Sequence, residues 1–232
     1  MPQTVRAEKL RTARVHIGGL GRIGTHIAIA LQEADVGTVS GNDPQMFEQE
    51  QLTACGFSRH SDLGRAKAHV VERYFDGRAG FTFLPVVAPN QSKIVLAYLE
   101  AADVIVSSAN NLDARLHLER AAVRLGKPSI QACAQDARQS LGGLVTRWLP
   151  AGGASCFGCL FHGNRQTIRR GEILLPAVTN AVAGIAAHAV VETLLSRESN
   201  GSQPNVTLLD LRKLSMETMR VAAVAHCKVC GG

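Results

Sequence analysis

The chain has 232 residues, of which 46% are hydrophobic and only 4% aromatic, and its formal net charge is +6. This length is enough for one substantial hydrophobic core, and the abundance of Ala, Val, Leu and Gly suits an α/β protein. The basic residues are scattered and do not alternate with aromatic ones, so we expect no nucleic-acid partner. Residues 1–12 are polar and lack the apolar core of a signal peptide, which favours a cytoplasmic protein.

The first part of the chain alternates strand and helix patterns from residue 14 to residue 135. Such an alternation is typical of strands joined by crossover helices, and it predicts a doubly wound, Rossmann-like, mostly parallel sheet. Asn110 or Asn111 can cap the last of these helices, and Gly126 ends it. The predicted strands are 14–18, 36–41, 81–87, 103–108 and 129–133, and the predicted helices are 22–33, 63–75, 92–101 and 112–125.

After residue 140 the pattern changes, because strand-like runs now flank one long helix. We expect residues 140–232 to extend the same sheet with antiparallel strands, so that residues 1–232 form a single domain. The most apolar stretch, 174–195, also carries polar and charged residues, which favours a buried or interface helix over a membrane span. The predicted elements here are strands at 142–149, 206–214 and 216–224 and a helix at 177–196.

A glycine turn, Gly19-x-Gly21-x-x-Gly24, joins the first strand to the first helix. Its glycines let the backbone approach a phosphate, and the helix N-terminus supplies N–H groups and the positive end of a dipole. No GxxxxGK[ST] sequence occurs, so this is not a Walker-type loop. Read alone, the turn indicates a dinucleotide, with Asp43 on the ribose and nicotinamide chemistry as the usual use. A turn without a ligand is the plain alternative.

Two widely separated pairs, Cys156-x-x-Cys159 and Cys227-x-x-Cys230, predict a structural zinc site. Each pair can present two thiolates at a tight turn, and two such turns complete a tetrahedral shell. The alternative is a redox CxxC, which would need only one pair, usually at a helix N-terminus. The remaining two cysteines, at 55 and 133, are expected to be small buried residues.

A set of separate motifs occurs in one order along almost the whole chain. It comprises the glycine turn, Asp43 just past the second strand, "DLGRAKA" at 62–68, "VIVSSANNLDAR" at 104–115 and the two cysteine pairs. This order resembles that of the ThiF/MoeB family, the activating enzymes of ubiquitin-like and sulfur-carrier proteins. The resemblance covers residues 14–230, and its most specific parts are the C-terminal cysteine pair and the start of the "LGRAK" helix.

The resemblance implies an adenylyltransferase that uses ATP and Mg²⁺ and acts on the C-terminal glycine of a small carrier protein. Because a carboxylate and a triphosphate must meet, such chemistry depends on positioning and charge neutralisation. The resemblance places Lys67 on the α-phosphate, Asp43 near the ribose and Asn110 at the Mg²⁺, with the glycine turn around the nucleotide. It also implies a homodimer, formed through the long helix at 177–196.

Four positions depart from the family's pattern. Gly41 stands where the ribose-binding Asp is expected, and Gln49 and Leu52 stand where an Asn and a phosphate-binding Arg are expected. Asn110 replaces the Mg²⁺-linked Asp, and a neutral amide binds hard cations more weakly than a carboxylate does. These departures open a second hypothesis, in which the chain is an adenylation-defective scaffold that binds a carrier or another partner.

The segment 160–176 lacks the cysteine that the family often uses to form a thioester or persulfide. Arg165, Arg169 and Arg170 make this segment basic instead. The activated acyl group would then pass to Cys133 or to a separate, conjugating-enzyme-like partner.

Overall fold

The computed structural model describes residues 3–52, 56–137, 140–161, 175–196 and 203–231. Within these residues the chain forms one eight-stranded sheet with helices on both faces. The strands are β1 Arg14–Gly18, β2 Thr38–Asn42, β3 Thr82–Val86, β4 Val104–Ser107, β5 Ser129–Ala137, β6 Ser140–Trp148, β7 Val206–Asp210 and β8 Ser215–Met219. The helices are α1 Gln3–Thr12, α2 Arg22–Glu33, α3 Gln49–Leu52, α4 Lys67–Phe75, α5 Lys93–Ala101, α6 Leu112–Leu125, α7 Phe157–Leu160 and α8 Pro176–Leu195.

The strand order across the sheet is β3-β2-β1-β4-β5-β6-β7-β8. The strands from β3 to β5 run parallel, and those from β5 to β8 pair antiparallel. The winding reverses between β1 and β4, and doubly wound sheets bind ligands beyond the carboxyl ends of the strands at such a point. The predicted doubly wound sheet with an antiparallel C-terminal extension is confirmed.

Helices α1 and α4 differ from the prediction for local reasons. Helix α1 was not predicted because Leu10 is its one buried residue, so it has no apolar stripe. Helix α4 begins at Lys67 rather than at residue 63, since the residues before it form a 3₁₀ turn, His60–Asp62. The side chain of Asp62 accepts the N–H of Arg59 at 2.7 Å and closes that turn.

The last two strands are shorter than the predicted runs at 206–214 and 216–224. The Asp210 carboxylate accepts the N–H groups of Arg212 and Lys213, at 3.0 and 3.3 Å. This local bonding turns the chain directly after β7. Strands β7 and β8 therefore form a tight hairpin at the far edge of the sheet.

One face of the sheet is apolar and packs against α2 and α8. Alternate residues of the central strands supply this layer, since successive side chains of a strand point to opposite faces. By length and apolar composition alone, helix α8 could cross a membrane, but in this fold it packs on α2, β5 and β6. Buried members of the layer include Val15, Ile17, Val39, Val106, Ile130, Ile27, Val182 and Ala186.

The opposite face, under α5 and α6, carries buried polar side chains. Nδ1 of His16 lies 2.9 Å from Ser40 Oγ, and its Nε2 lies 3.0 Å from Asn42 Oδ1. Nδ2 of Asn42 donates to the Ala88 carbonyl oxygen and to Asn90 Oδ1, both at 2.8 Å. Because Asn42 Oδ1 must therefore accept, His16 Nε2 carries a proton. Burial lowers the pKa of His16 from 6.5 to about 4, against the opposing effect of the bond to Asn42.

Acid should destabilise the fold through this histidine. His16 protonates near pH 6.5 in the unfolded chain but stays neutral down to about pH 4 when folded. Within that window protons bind preferentially to the unfolded state. The contribution of His16 to the free energy of unfolding is fully present above pH 6.5. It should fall by about 3 kcal/mol between pH 6.5 and pH 4.

Urea unfolding at several pH values checks this prediction. In the His16→Gln variant, the free energy of unfolding should fall by about 3 kcal/mol less between pH 6.5 and pH 4 than in the wild type. This holds whatever the stability of the variant at neutral pH. His188→Gln, at an exposed position of α8, is the matched control and should keep the wild-type slope. Equal slopes in wild type and His16→Gln would contradict the burial argument.

Candidate nucleotide site and cysteine cluster

The turn between β1 and α2 sets its glycines against the loop that follows β4. Gly19 has a φ of +95°, and a Cβ there would lie 2.9 Å from the Ala109 nitrogen. A Cβ on Gly24 would clash with the Gly19 carbonyl oxygen, whereas one on Gly21 would meet nothing within 4 Å. The N-cap residue of α2 is Gly21, which has no side chain to bond the first N–H groups of the helix. The space beside Gly21 is open, an arrangement that suits a phosphate.

A path of hydrogen bonds connects this turn to Lys67. Asp43, just past β2, accepts the N–H of Leu20 at 2.8 Å and that of Gln45 at 2.9 Å. Gln45 Oε1 accepts from Lys67 Nζ at 2.8 Å, and the Gln45 carbonyl oxygen accepts the Lys67 N–H at 3.0 Å. Asp43 and Lys67 are 6% and 7% exposed. The structure thus brings Asp43 to the glycine turn and connects Lys67 to Asp43 through Gln45, while their roles toward a ribose and a phosphate stay predictions.

The loop after β4 forms the other side of the turn. Ser108 Oγ donates to the Gly19 carbonyl oxygen at 2.7 Å. Asn111 caps α6, because its side chain accepts the N–H of Ala114 at 2.7 Å. Asn110 lies between these two residues and is exposed. It is therefore at the same sheet edge as the glycine turn, and its action on Mg²⁺ stays a prediction.

Packing gives a physical reason for the departure at Gly41. A Cβ there would lie 2.7 Å from Leu20 Cδ2 and 3.0 Å from Phe83 Cζ. An aspartate at this position would require one of these two buried side chains to move. Leu52, the other apolar departure, ends α3 and is half-buried. This side of the site is therefore built from apolar groups.

Two polar residues of the site were missed by sequence reasoning. Ser108 holds the Gly19 carbonyl group, and its sequence signal was only its place directly after β4. Gln45 holds the Lys67 ammonium from 22 positions away. Nothing in the sequence marks Gln45, because it lies in the irregular segment that follows β2.

The four cysteines of the two CxxC pairs meet at one point, and their sulfur atoms lie within 4.8 Å of one another. The Sγ–Sγ distances are 3.7 Å from Cys156 to Cys159, 3.7 Å from Cys156 to Cys227 and 3.6 Å from Cys159 to Cys230. Thiolates about 2.3 Å from one tetrahedral ion would lie about 3.8 Å apart. The cluster could therefore hold a metal ion with little rearrangement.

The pKa values of two thiols in this cluster are shifted in opposite directions. Burial raises the pKa of the Cys156 thiol. Burial also opposes ionisation of Cys227, but the N–H groups of Cys230 and Val229 together with the side chains of Cys159 and Cys156 outweigh it and bring the Cys227 pKa to about 7. A bound cation would favour the thiolate form of all four side chains.

The remaining cysteine predictions concern other parts of the chain. Cys55 lies outside the described residues, and so do residues 162–174 with their three arginines. Cys133 on β5 is 8% exposed, and burial raises the pKa of its thiol. Its expected burial is confirmed, while its suggested role as acceptor of the acyl group stays a prediction.

Comparison with known proteins agrees with this geometry. The model of the ThiF family matches residues 3–230. The chain belongs to the ThiF family. The sulfur carrier protein ThiS adenylyltransferase of Escherichia coli K12 is 25% identical over 228 residues, which cover 97% of this chain and 88% of that protein.

Two further relatives are longer than this chain. The adenylyltransferase and sulfurtransferase uba4 of Aspergillus terreus is 27% identical over 237 residues, which cover 96% of this chain but only 48% of that protein. The chain therefore spans about half the length of this relative. The crystal structure of E. coli MccB with ATP shares the fold with a TM-score of 0.76 at 20% identity, covering 98% of this chain and 69% of that one.

The glycine turn offers a matched pair of substitutions. Gly24→Ala places a methyl group on the Gly19 carbonyl oxygen, so we expect its melting temperature to fall by about 5 °C or more. Gly21→Ala meets no neighbour and keeps an ordinary φ of −73°, so its melting temperature should stay near that of the wild type. Calorimetry checks both values, and an unchanged melting temperature for Gly24→Ala would refute the described packing.

The cysteine cluster should retain one metal ion per chain through purification. Cys230→Ser should abolish stoichiometric metal and lower the melting temperature by about 5–10 °C, because metal binding stabilises only the folded state. Cys133→Ala, at a cysteine outside the cluster, should keep its metal. Elemental analysis of the fresh protein measures the stoichiometry, and well under one ion per chain in the wild type would exclude a resident metal.

Proposed function

We propose that this chain is an ATP-dependent adenylyltransferase that activates the C-terminal carboxylate of a small ubiquitin-like or sulfur-carrier protein. The observation that carries the proposal is the hydrogen-bonded path from the open glycine turn through Asp43 and Gln45 to Lys67. It connects a buried lysine to the loop that leads into α2. Membership of the ThiF family and the activity in the names of its relatives support the same reaction.

The proposed reaction needs two anions to meet. The backbone of the glycine turn would bind phosphate groups, because helix N-termini offer N–H groups and a positive dipole end. Lys67 would neutralise the α-phosphate while the carrier carboxylate attacks phosphorus and pyrophosphate leaves. Its bond to Gln45 orients the ammonium. Asn110 would offer an amide oxygen to Mg²⁺, which supplies charge neutralisation when bound.

Asp43 acts in this scheme mainly through the backbone. Both of its carboxylate oxygens already accept N–H groups, one from Leu20 and one from Gln45. It therefore fixes the glycine turn relative to the segment that orients Lys67. A ribose hydroxyl could still reach a second lone pair of these oxygens, since each carboxylate oxygen accepts more than one hydrogen bond.

We propose zinc as the metal of the cysteine cluster. Four thiolates at tetrahedral spacing match the preference of Zn²⁺ and leave no open coordination position, so the ion would be structural. It would join the C-terminal segment to the loop after β6. The thiolate set and its spacing support this assignment.

The proposed partners follow from the same reaction. A carrier protein would place its C-terminal tail at the carboxyl edge of β1 and β4, and a separate conjugating-enzyme-like protein would accept the acyl group, since Cys133 is buried. Helix α8 exposes Asn180, Gly184 and His188 along one flank, which supports a homodimer through this helix. We place the protein in the cytoplasm.

A second function is favoured by one observation, the filled space at Gly41. Leu20 and Phe83 occupy the volume that an aspartate side chain would need there. A chain with this packing could bind a carrier or another partner without adenylating it. The nicotinamide enzyme that the glycine turn alone allowed finds no support among the named relatives.

ATP–pyrophosphate exchange in the presence of candidate carriers tests the proposal. Lys67→Ala should lower carrier-dependent exchange by about 100-fold, because removing a preorganised charge from a transition state has effects of that size. Lys93→Ala removes an exposed lysine at the start of α5 and should leave exchange unchanged.

Each outcome of this experiment selects one function. Carrier-dependent exchange that is lost only in Lys67→Ala supports the adenylyltransferase. Tight carrier binding without exchange in the wild type supports the scaffold. Saturable NAD binding that ATP does not compete with would overturn both.

A further inference from the structure

Helix α6 carries two buried charged side chains that the proposed chemistry does not use. Arg115 is 4% exposed and Glu119 is fully buried, one helical turn further along. The helix begins beside the glycine turn, and its middle packs against the cysteine cluster. A charge held in such a place is stabilised only if its surroundings supply matching hydrogen bonds.

Glu119 accepts hydrogen bonds from three groups in two other segments, β5 and the first cysteine turn. Its Oε2 accepts from Ser129 Oγ and from Gln131 Nε2, both at 2.8 Å. Its Oε1 accepts the backbone N–H of Phe157 at 2.9 Å. Phe157 directly follows Cys156, so this one carboxylate joins α6, β5 and the first cysteine turn.

Arg115 contacts the same joint, by which we mean the junction of α6, β5 and the first cysteine turn. Its guanidinium donates to the Ser107 carbonyl oxygen at 3.3 Å and to the Ala132 carbonyl oxygen at 2.9 Å. It also lies 5.9 Å from the centre of the Phe157 ring, within the range of a cation–π contact. Phe157 is thus held by its N–H and by its ring, and both contacts lead to α6.

The end of β4 connects this joint to the nucleotide edge. Ser107, whose carbonyl group Arg115 holds, precedes Ser108, which bonds the Gly19 carbonyl oxygen at 2.7 Å. Hydrogen bonds and the backbone between them therefore connect the first cysteine turn through α6 and the end of β4 to the glycine turn. A metal ion that fixes Cys156 and Cys159 would also fix Phe157 between them.

We propose that Glu119 is a positioning residue that couples the cysteine cluster to the nucleotide site. With the metal bound, the first cysteine turn holds the N–H of Phe157 on the carboxylate, and α6 and the end of β4 stay in place. Without it, Glu119 lacks one of its donors and the helix is free to shift. The proposal rests on the proposed function for its nucleotide, but the joint itself can be measured without one.

Two measurements on the metal-loaded protein and on the same protein after chelation test the coupling. Removing the metal should weaken ATP binding by about tenfold, a usual size for coupling between sites. In the absence of ATP, amide hydrogen exchange should accelerate in residues 107–119 but not in α2. Calorimetric titration gives the affinity, and mass spectrometry locates the exchange.

Variants at Glu119 separate positioning from general stability. Glu119→Met keeps the length of the side chain but accepts no strong hydrogen bond, so its ATP affinity should be low and should change less than about twofold on metal removal. Glu119→Gln should keep the coupling. The oxygen of the new amide can accept the N–H of Phe157, and its NH₂ group can donate to Gln131 Oε1, which is buried and has no partner. Glu100→Met, at an exposed glutamate of α5, should behave like the wild type.

Two results would overturn the coupling. One is that, in the wild-type protein without its metal, residues 107–119 keep their protection from hydrogen exchange while the C-terminal segment exchanges faster. The other is an equal loss of protection in α2, which would make the metal a general stabiliser. If no ATP binds in either state, the proposed function fails, and the exchange pattern still decides the coupling. If Glu119→Met does not fold, the wild-type exchange pattern and the Glu119→Gln affinities decide it.

Discussion

The close contact between the β1–α2 turn and the loop after β4 is the constraint on which the site depends. Gly19 and Gly24 leave no volume for a side chain, so the turn lies directly on Ser108 and on its own carbonyl group. Any residue with a Cβ at either position would push the two loops apart. The same contact sets the N-terminus of α2 at the point where the sheet reverses its winding, so that fold and site are determined together.

The two faces of the sheet have different tasks. The apolar face, under α2 and α8, buries most of the large aliphatic side chains and supplies the non-directional part of the stability. The polar face orients specific groups, because hydrogen bonds require a definite geometry. His16 and Asn42 fix the end of β2 there, just before Asp43. The segment that carries Lys67 is then positioned by Asp43 through Gln45.

The second part of the chain adds strands to the sheet and returns its end to the middle. Cys227 and Cys230 lie beside Cys156 and Cys159, although each is 71 positions further along the sequence than its partner. The junction lies against α6 rather than on the surface, since Glu119 and Arg115 hold the residue between the first two cysteines. The cysteine cluster and the nucleotide edge are therefore two ends of one helix and its neighbours, although the sequence presents them as unrelated motifs.

Much of this could be predicted because it depends on short-range pattern. Strand and helix alternation follows from the period of the apolar residues, and the glycine turn follows from spacing and backbone freedom. The meeting of the two cysteine pairs was also predictable. Each pair supplies only two of the four ligands of a tetrahedral metal site, so one pair needs the other to complete it. The start of α4 was less predictable, because the turn that precedes it depends on a single side-chain bond of Asp62.

By itself, the sequence determined the fold class, the place of the glycine turn and the four members of the cysteine cluster. Only the tertiary structure decided that Gln45 orients Lys67, that Leu20 and Phe83 fill the space beside Gly41, and that Glu119 holds the first cysteine turn. The reason is physical. Local patterns report which backbone geometry a segment favours, whereas a buried polar contact depends on the side chains that packing brings near it, and these come from distant parts of the chain.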